Sequence, residues 1–202
     1  MNKNEELYFD GLSDDGQHVM EAMRMLREAY LGDTEKEDAW MYAEKWHHTF
    51  RDTFGERQAQ AEAALNGEQR AEAKLLAETL DAIFEDIGSL CQILLALPGN
   101  PPEGMDTEME LAYQSLEELT KIFSYSSSLQ TDYVKAEART RKLGNYKIRS
   151  HIALMQSFRD LLAKDRGAET VFWKDVLEKL EHMTALSEEA AGMYQRLTES
   201  YI

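Results

Sequence analysis

The chain has 202 residues, three prolines and a net charge of −16, with 43% hydrophobic and 30% charged residues. This composition excludes a disordered chain, and the length suits one domain or two small ones with a sizeable core. No run of about 18 apolar residues occurs, so no membrane span is expected, and a single cysteine excludes an internal disulfide and points to a reducing, cytoplasmic setting.

The opening MNKNEELYFDG lacks the apolar centre of a secretory signal. Ser13-Asp14-Asp15 reads as a capped helix start. Val19, Ala22, Met23, Leu26 and Tyr30 then recur every three or four residues as far as Gly32. Thr34-Glu35-Lys36-Glu37 has the form of a capping box and opens a second helix to about Phe54, with Gly55 as its stop. Residues 56–66 are alanine-rich and weakly amphipathic, a short helix or extension that ends at Asn66-Gly67. In the third helix Leu76, Leu80, Ile83, Ile87, Leu90, Leu94 and Leu97 form a heptad seam, which demands a facing helix. Pro98 ends it, and LPGNPPEGMD (97–106) is the proline-rich linker. Thr107 opens a fourth helix through Met109, Ala112, Leu116, Leu119 and Phe123. It runs on to Leu143, before Gly144-Asn145, unless SYSSS (124–128) breaks it in two. A fifth helix spans roughly 146–164, with Ile148, Ile152, Met155, Phe158 and Leu162 on its apolar face. Beyond Gly167 a sixth carries Trp173, Val176, Leu180, Met183, Ala190, Tyr194, Leu197 and Tyr201, a second near-heptad seam.

Stripes of this kind specify an all-α fold: an up-and-down bundle of about six helices, several of them long, with heptad-like packing. The expected organisation is a single helical domain over 1–202, with pseudo-halves 13–97 and 107–202 joined by the Pro/Gly linker 98–106.

Four groups of residues raise chemical questions. AEKWHH (43–48) places Glu44 and His47 three apart, the half-motif of di-iron bundles. No second Glu-x-x-His accompanies it. Helical geometry turns Trp46 inward, leaves His47 on the rim and puts His48 outside, so Glu44 and His48 read as an exposed i,i+4 pair. In LAETLDAIFEDIG (76–88), Glu78, Asp81 and Glu85 share a stripe on which carboxylate oxygens can hold Mg or Mn. The placement is similar to one motif of helical nucleotide pyrophosphohydrolases, but that family's Glu-Glu-x-x-Glu about a helix earlier is absent. The stripe also lies nearly opposite the leucine seam, so a simple bundle turns it to water.

KAEARTRKLGNYKIR (135–149) is the one basic cluster, and it suits an anion or an acidic partner through Lys135, Arg139, Arg141, Lys142, Lys147 and Arg149. Alternatively these bases complement the acidic first half, where residues 1–100 hold 21 acids against 9 bases. The fourth group is polar residues within apolar stripes: Ser126, Gln130, His151 and Arg159 are candidates to line an interior pocket. Cys91 falls on the inner face of the third helix, where thiols are inert. No phosphate-binding loop, dinucleotide fingerprint or nucleophile elbow occurs.

The favoured expectation is a non-enzymatic cytosolic helical-bundle interaction protein, an adaptor, regulator or chaperone-like module without a cofactor, engaging a protein partner or forming a homodimer. A net charge of −16 disfavours nucleic acid and anionic membranes. One alternative is a metal-dependent hydrolase of a nucleotide or phosphate ester using Mg or Mn. The other is a small-ligand sensor with a polar interior.

Overall fold

The computed structural model describes residues 2–96, 101–164 and 167–201, apart from the side chains of 127–130. Leu97 and residues 98–100 of the linker lie outside these. Six helices follow one another: α1 (Lys3–Leu31), α2 (Lys36–Ala64), α3 (Gly67–Ala96), α4 (Met105–Phe123), α5 (Leu129–Ala163) and α6 (Glu169–Thr198). Short 3-10 segments cover Ser124–Ser128 and Glu199–Tyr201, and no strand occurs among the described residues. The all-α helical bundle expected from the stripes is the fold.

Several boundaries differ from the sequence expectation, each for a local reason. α1 starts ten residues before Ser13. Asn2 accepts the amides of Asn4 and Glu5, and Glu5 accepts the Asn2 amide in return. The added turns are held by Tyr8, Phe9 and Leu12, all buried. Thr34 does not cap α2: Glu35 holds the cap position without a side-chain bond, and the Thr34 hydroxyl donates to Glu28 instead. α2 passes straight through Gly55 and ends at Ala64. The stop is set by Asn66, whose side chain accepts from the amides of Glu68 and Gln69, while Gln69 accepts from the Asn66 amide. That reciprocal pair opens α3 and so fixes the end of α2.

The fourth helix does break at Ser124–Ser128, so α5 starts at Leu129 and runs uninterrupted through Gly144-Asn145. A glycine in a long helix costs about 1 kcal/mol relative to alanine, which the packing of the surrounding turns offsets.

The halves interlock. α3 packs on α2 and α6, α1 packs on α2 and α4, and α5 lies against α4 and α6. The α3 seam from Leu76 to Leu94 is buried throughout, as is the α6 seam from Trp173 to Leu197. Burial of each such side chain contributes about 1.5–3 kcal/mol. At the α1–α4 crossing, Gly16 leaves room for the Phe123 ring, and its carbonyl accepts from the Thr120 hydroxyl at 3.1 Å. Gly104, at φ 92°, caps α4, and a Cβ there would sit 2.3 Å from Ser157 Oγ. Only glycine meets both demands.

One element is rotated relative to the expectation. Ile148, Ile152, Met155 and Leu162 of α5 face outward, with exposures of 61%, 52%, 45% and 76%. Leu143, Tyr146, Ser150, Ala153, Leu154, Ser157 and Leu161 face the bundle instead. Phe158 is half-buried. Two heptad stripes therefore run along one helix, and both carry large apolar residues. The inner stripe alternates large residues (Leu143, Tyr146, Leu154, Leu161) with small ones (Ser150, Ala153, Ser157), which let α5 lie close to α4 and α6.

Candidate functional site

The rotation of α5 is fixed by polar anchors on its inner side. Glu118 of α4 is 2% exposed and accepts hydrogen bonds from Arg139 and Lys142 of α5. Desolvation opposes its ionisation, but the bonds from Lys142 and Arg139 and their charges outweigh it and hold the carboxyl below its ordinary value. Arg139 also donates to the Tyr125 hydroxyl at 2.8 Å. Lys147 meets Glu188 of α6 at 3.1 Å. Ser150 donates to Glu108 of α4 at 2.6 Å. Glu108 is fully buried, and its second oxygen has no hydrogen-bond partner among the described residues. Burial pushes its carboxyl up to about 7, with the nearby Glu181 adding to the effect and the Ser150 bond opposing it. Glu181 in turn faces His151 at 3.4 Å.

With those anchors in place, Val134, Ala138, Arg141, Asn145, Ile148, Ile152, Met155, Arg159 and Leu162 stand on the solvent side, alternating four and three apart. It has the spacing of a coiled-coil seam, six of its nine positions are apolar, and no helix of the described residues covers it. From Val134 to Leu162 it extends about 42 Å at ~1.5 Å per residue. Its borders are basic: α5 holds seven Lys and Arg against three Asp and Glu. Arg149 and Arg159 are exposed and form no ion pair among the described residues. Val171 and Phe172 at the start of α6 are also exposed, at 70% and 50%. Contiguous exposed apolar surface of this kind marks interaction sites, whereas isolated exposed apolar residues do not.

The six residues of the basic cluster thus divide. Arg139, Lys142 and Lys147 tie α5 to its neighbours. Lys135 pairs with Asp132, and Arg141 with Glu137, within the helix. Arg149 lies over the Tyr146 ring, 5.9 Å from its centre. They do not converge on one anion-binding point.

Nor do the described pocket candidates, Ser126, His151 and Arg159, come together. Ser126 is buried at the break after α4, His151 and Arg159 are exposed on α5, and the side chain of Gln130 lies outside the described residues. The buried polar residues of this region are instead Glu108, Ser115, Glu118, Ser150 and Ser157.

The acidic stripe of α3 runs along its edge towards α2: Asp81 is half-buried there, whereas Glu78 and Glu85 remain exposed to water. Asp81 accepts from Arg51 at 3.0 Å and lies 2.7 Å from His47 Nε2; Glu85 accepts from Arg51 at 2.9 Å. Desolvation resists ionisation of Asp81, yet the Arg51 and His47 hydrogen bonds lower its pKa overall. Glu78 stands apart beside Lys74. No group of three His, Cys, Asp or Glu side chains among the described residues is placed to hold a metal ion.

AEKWHH also resolves differently from its helical wheel. His47 is the more buried ring, stacked on Phe84 at 5.4 Å. Trp46 is half-buried against His18. Glu44 turns to α3 beside Gly88 and Cys91 instead of pairing with His48. Cys91 is buried, and desolvation, reinforced by the Glu44 charge, raises its thiol to about 12.

Sequence reasoning missed the buried carboxylates, although α4 carries their signal. Beside the stripe Met109-Ala112-Leu116-Leu119-Phe123 runs a second, Glu108-Leu111-Ser115-Glu118-Ile122, with the same spacing and every member buried. A helix with two adjacent seams packs on both sides, and acids within the second one must meet partners inside. No helix of the described residues is long and apolar enough to cross a membrane. No protein-family model matches the chain, and no curated protein is similar to it.

Proposed function

We propose that the chain is a non-enzymatic interaction module, an adaptor or regulator, whose docking face is the outer seam of α5 and whose partner there is an acidic amphipathic helix of another protein. The observation that carries this reading is the outward position of Ile148, Ile152, Met155 and Leu162 on a helix whose inner face is already packed on α4 and α6. A helix that served only the bundle would place its larger apolar residues inside.

Charge selects the partner. Arg149 borders the seam and Arg159 stands within it, both without ion-pair partners among the described residues, while the whole chain is strongly acidic. A second copy docking α5 on α5 about a twofold axis brings bases against bases, which is unfavourable. An acidic helix complements both the apolar centre and the basic border. The single, buried Cys91 suits a reducing, cytoplasmic compartment.

The test uses a synthetic four-heptad helical peptide with leucine and isoleucine on its seam and glutamate on its borders. Fluorescence anisotropy should show saturable binding that weakens as salt is raised. A peptide with lysine borders should bind far more weakly. The double variant Ile148→Glu/Ile152→Glu should lose binding while keeping its helical circular dichroism. Equal binding of both peptides, or none, would overturn the proposal. So would a wild-type dimer in sedimentation that this double variant dissociates, since a second copy would then be the occupant.

A further inference from the structure

A separate cleft opens where the end of α2 and the start of α3 lie over α1, and no residue of α5 lines it. It holds about 330 Å³, within the range of small-ligand sites. Its floor is apolar: Tyr8 of α1, Phe54 and Ala61 of α2, and Ala73 and Ala77 of α3. The alanines explain the opening, because two helices lined with small side chains leave the space between them unfilled. A narrow notch of about 20 Å³ shares Tyr8, Phe54 and Ala77 with the cleft and continues inward to Leu12, Phe50 and Leu80.

The rim is cationic, unlike most of this surface. Arg70 and Lys74 stand one turn apart on α3, with Glu62 of α2 as the single acid. Like charges at that spacing repel, a small cost that an anion between them would relieve. Arg70 donates its Nε to the Leu65 carbonyl, which fixes the stem and leaves the outer nitrogens without an ion-pair partner among the described residues. Lys74 has only a loose, exposed contact to Glu78 at 3.7 Å. Arg57, also at the cleft, is already committed: it crosses α1 where Gly11 leaves room and meets buried Asp15 at 3.0 Å. That ion pair closes the inner wall and supplies no free charge.

We propose that this cleft binds a medium-chain carboxylate, with the carboxylate at Arg70 and Lys74 and the alkyl chain along Tyr8 and Phe54. Both parts are needed, because neither the exposed cations nor the open apolar floor suffices alone.

Octanoate is the probe, and thermal unfolding of the full chain is the readout, since a ligand of the folded state raises the midpoint. Octanoate should raise it saturably, whereas octanol and inorganic phosphate at the same concentration should raise it little. Arg70→Ala/Lys74→Ala should weaken octanoate about tenfold or more, the loss expected for a charge-assisted contact. Ala71→Trp, at an exposed lining position, should block binding without disturbing the core. The α5 variant Ile148→Glu/Ile152→Glu should respond to octanoate like the wild type. No effect of octanoate, an equal effect of octanol, or an undiminished effect in either cleft variant overturns the proposal. Loss of the effect in the α5 variant also overturns it, by placing the ligand on the other face.

Discussion

Glu108 is a carboxyl held inside a bundle with one hydroxyl for company. Its pKa near 7 implies that the folded chain binds the proton more tightly than the unfolded chain, in which the group has its ordinary value of 4.5. Stability from this group is therefore full below about pH 4.5 and falls as pH rises towards 7, by about 3 kcal/mol in all. Urea unfolding at about pH 5 and about pH 8 should show the loss, and Glu108→Gln should abolish it while keeping an acceptor for Ser150. An unchanged pH dependence in that variant would place the effect elsewhere. At this scale the sequence was least readable. The wheel for α2 placed Trp46 deeper than His47, because hydrophobicity was ranked without the Asp81 and Phe84 that wait on α3 to receive the imidazole. Pairing across helices is invisible along one of them.

Seams within single helices were far more legible. Those of α3 and α6 emerge intact, since their positions from Leu76 to Leu94 and from Trp173 to Leu197 are all buried. α5 misleads because it has two stripes with large apolar residues on both, and Glu108, Glu118 and Glu188 on neighbouring helices help select the one that turns inward. That selection gives a prediction. Ile148→Glu and Ile152→Glu should change unfolding free energy by no more than about 0.5 kcal/mol, as surface substitutions do. Leu143→Ala, on the inner stripe, should cost about 2–5 kcal/mol. Equal penalties in denaturant titrations would return the isoleucines to the core. The break after Phe123 was readable as one of two options, because a serine run weakens a helix without forbidding it.

Across the whole molecule, the linker near the middle of the chain suggests two halves, but the packing does not follow it. α3 buries its leucine seam against α6, and α1 covers part of α4. Expressed separately, residues 1–100 and 101–202 should each lack fixed near-ultraviolet dichroism, and mixing them should restore it. Independent, well-packed halves would show that the interlock is dispensable. The full chain should unfold in one transition by tryptophan fluorescence and by far-ultraviolet dichroism alike. The basic run of α5 is legible in the sequence as a site for an acidic partner, but neither the outward turn of its apolar seam nor the cleft over α1 is. Each depends on which residues the other helices leave uncovered, a property of assembly rather than of any motif. Cys91, finally, has a practical consequence. A sole thiol sealed in the core and unable to ionise near neutrality leaves the chain silent to maleimide reagents. One cysteine introduced at exposed Gln156, beside the outer seam of α5, would then carry a fluorophore at a single defined point and report directly on whatever comes to cover that face.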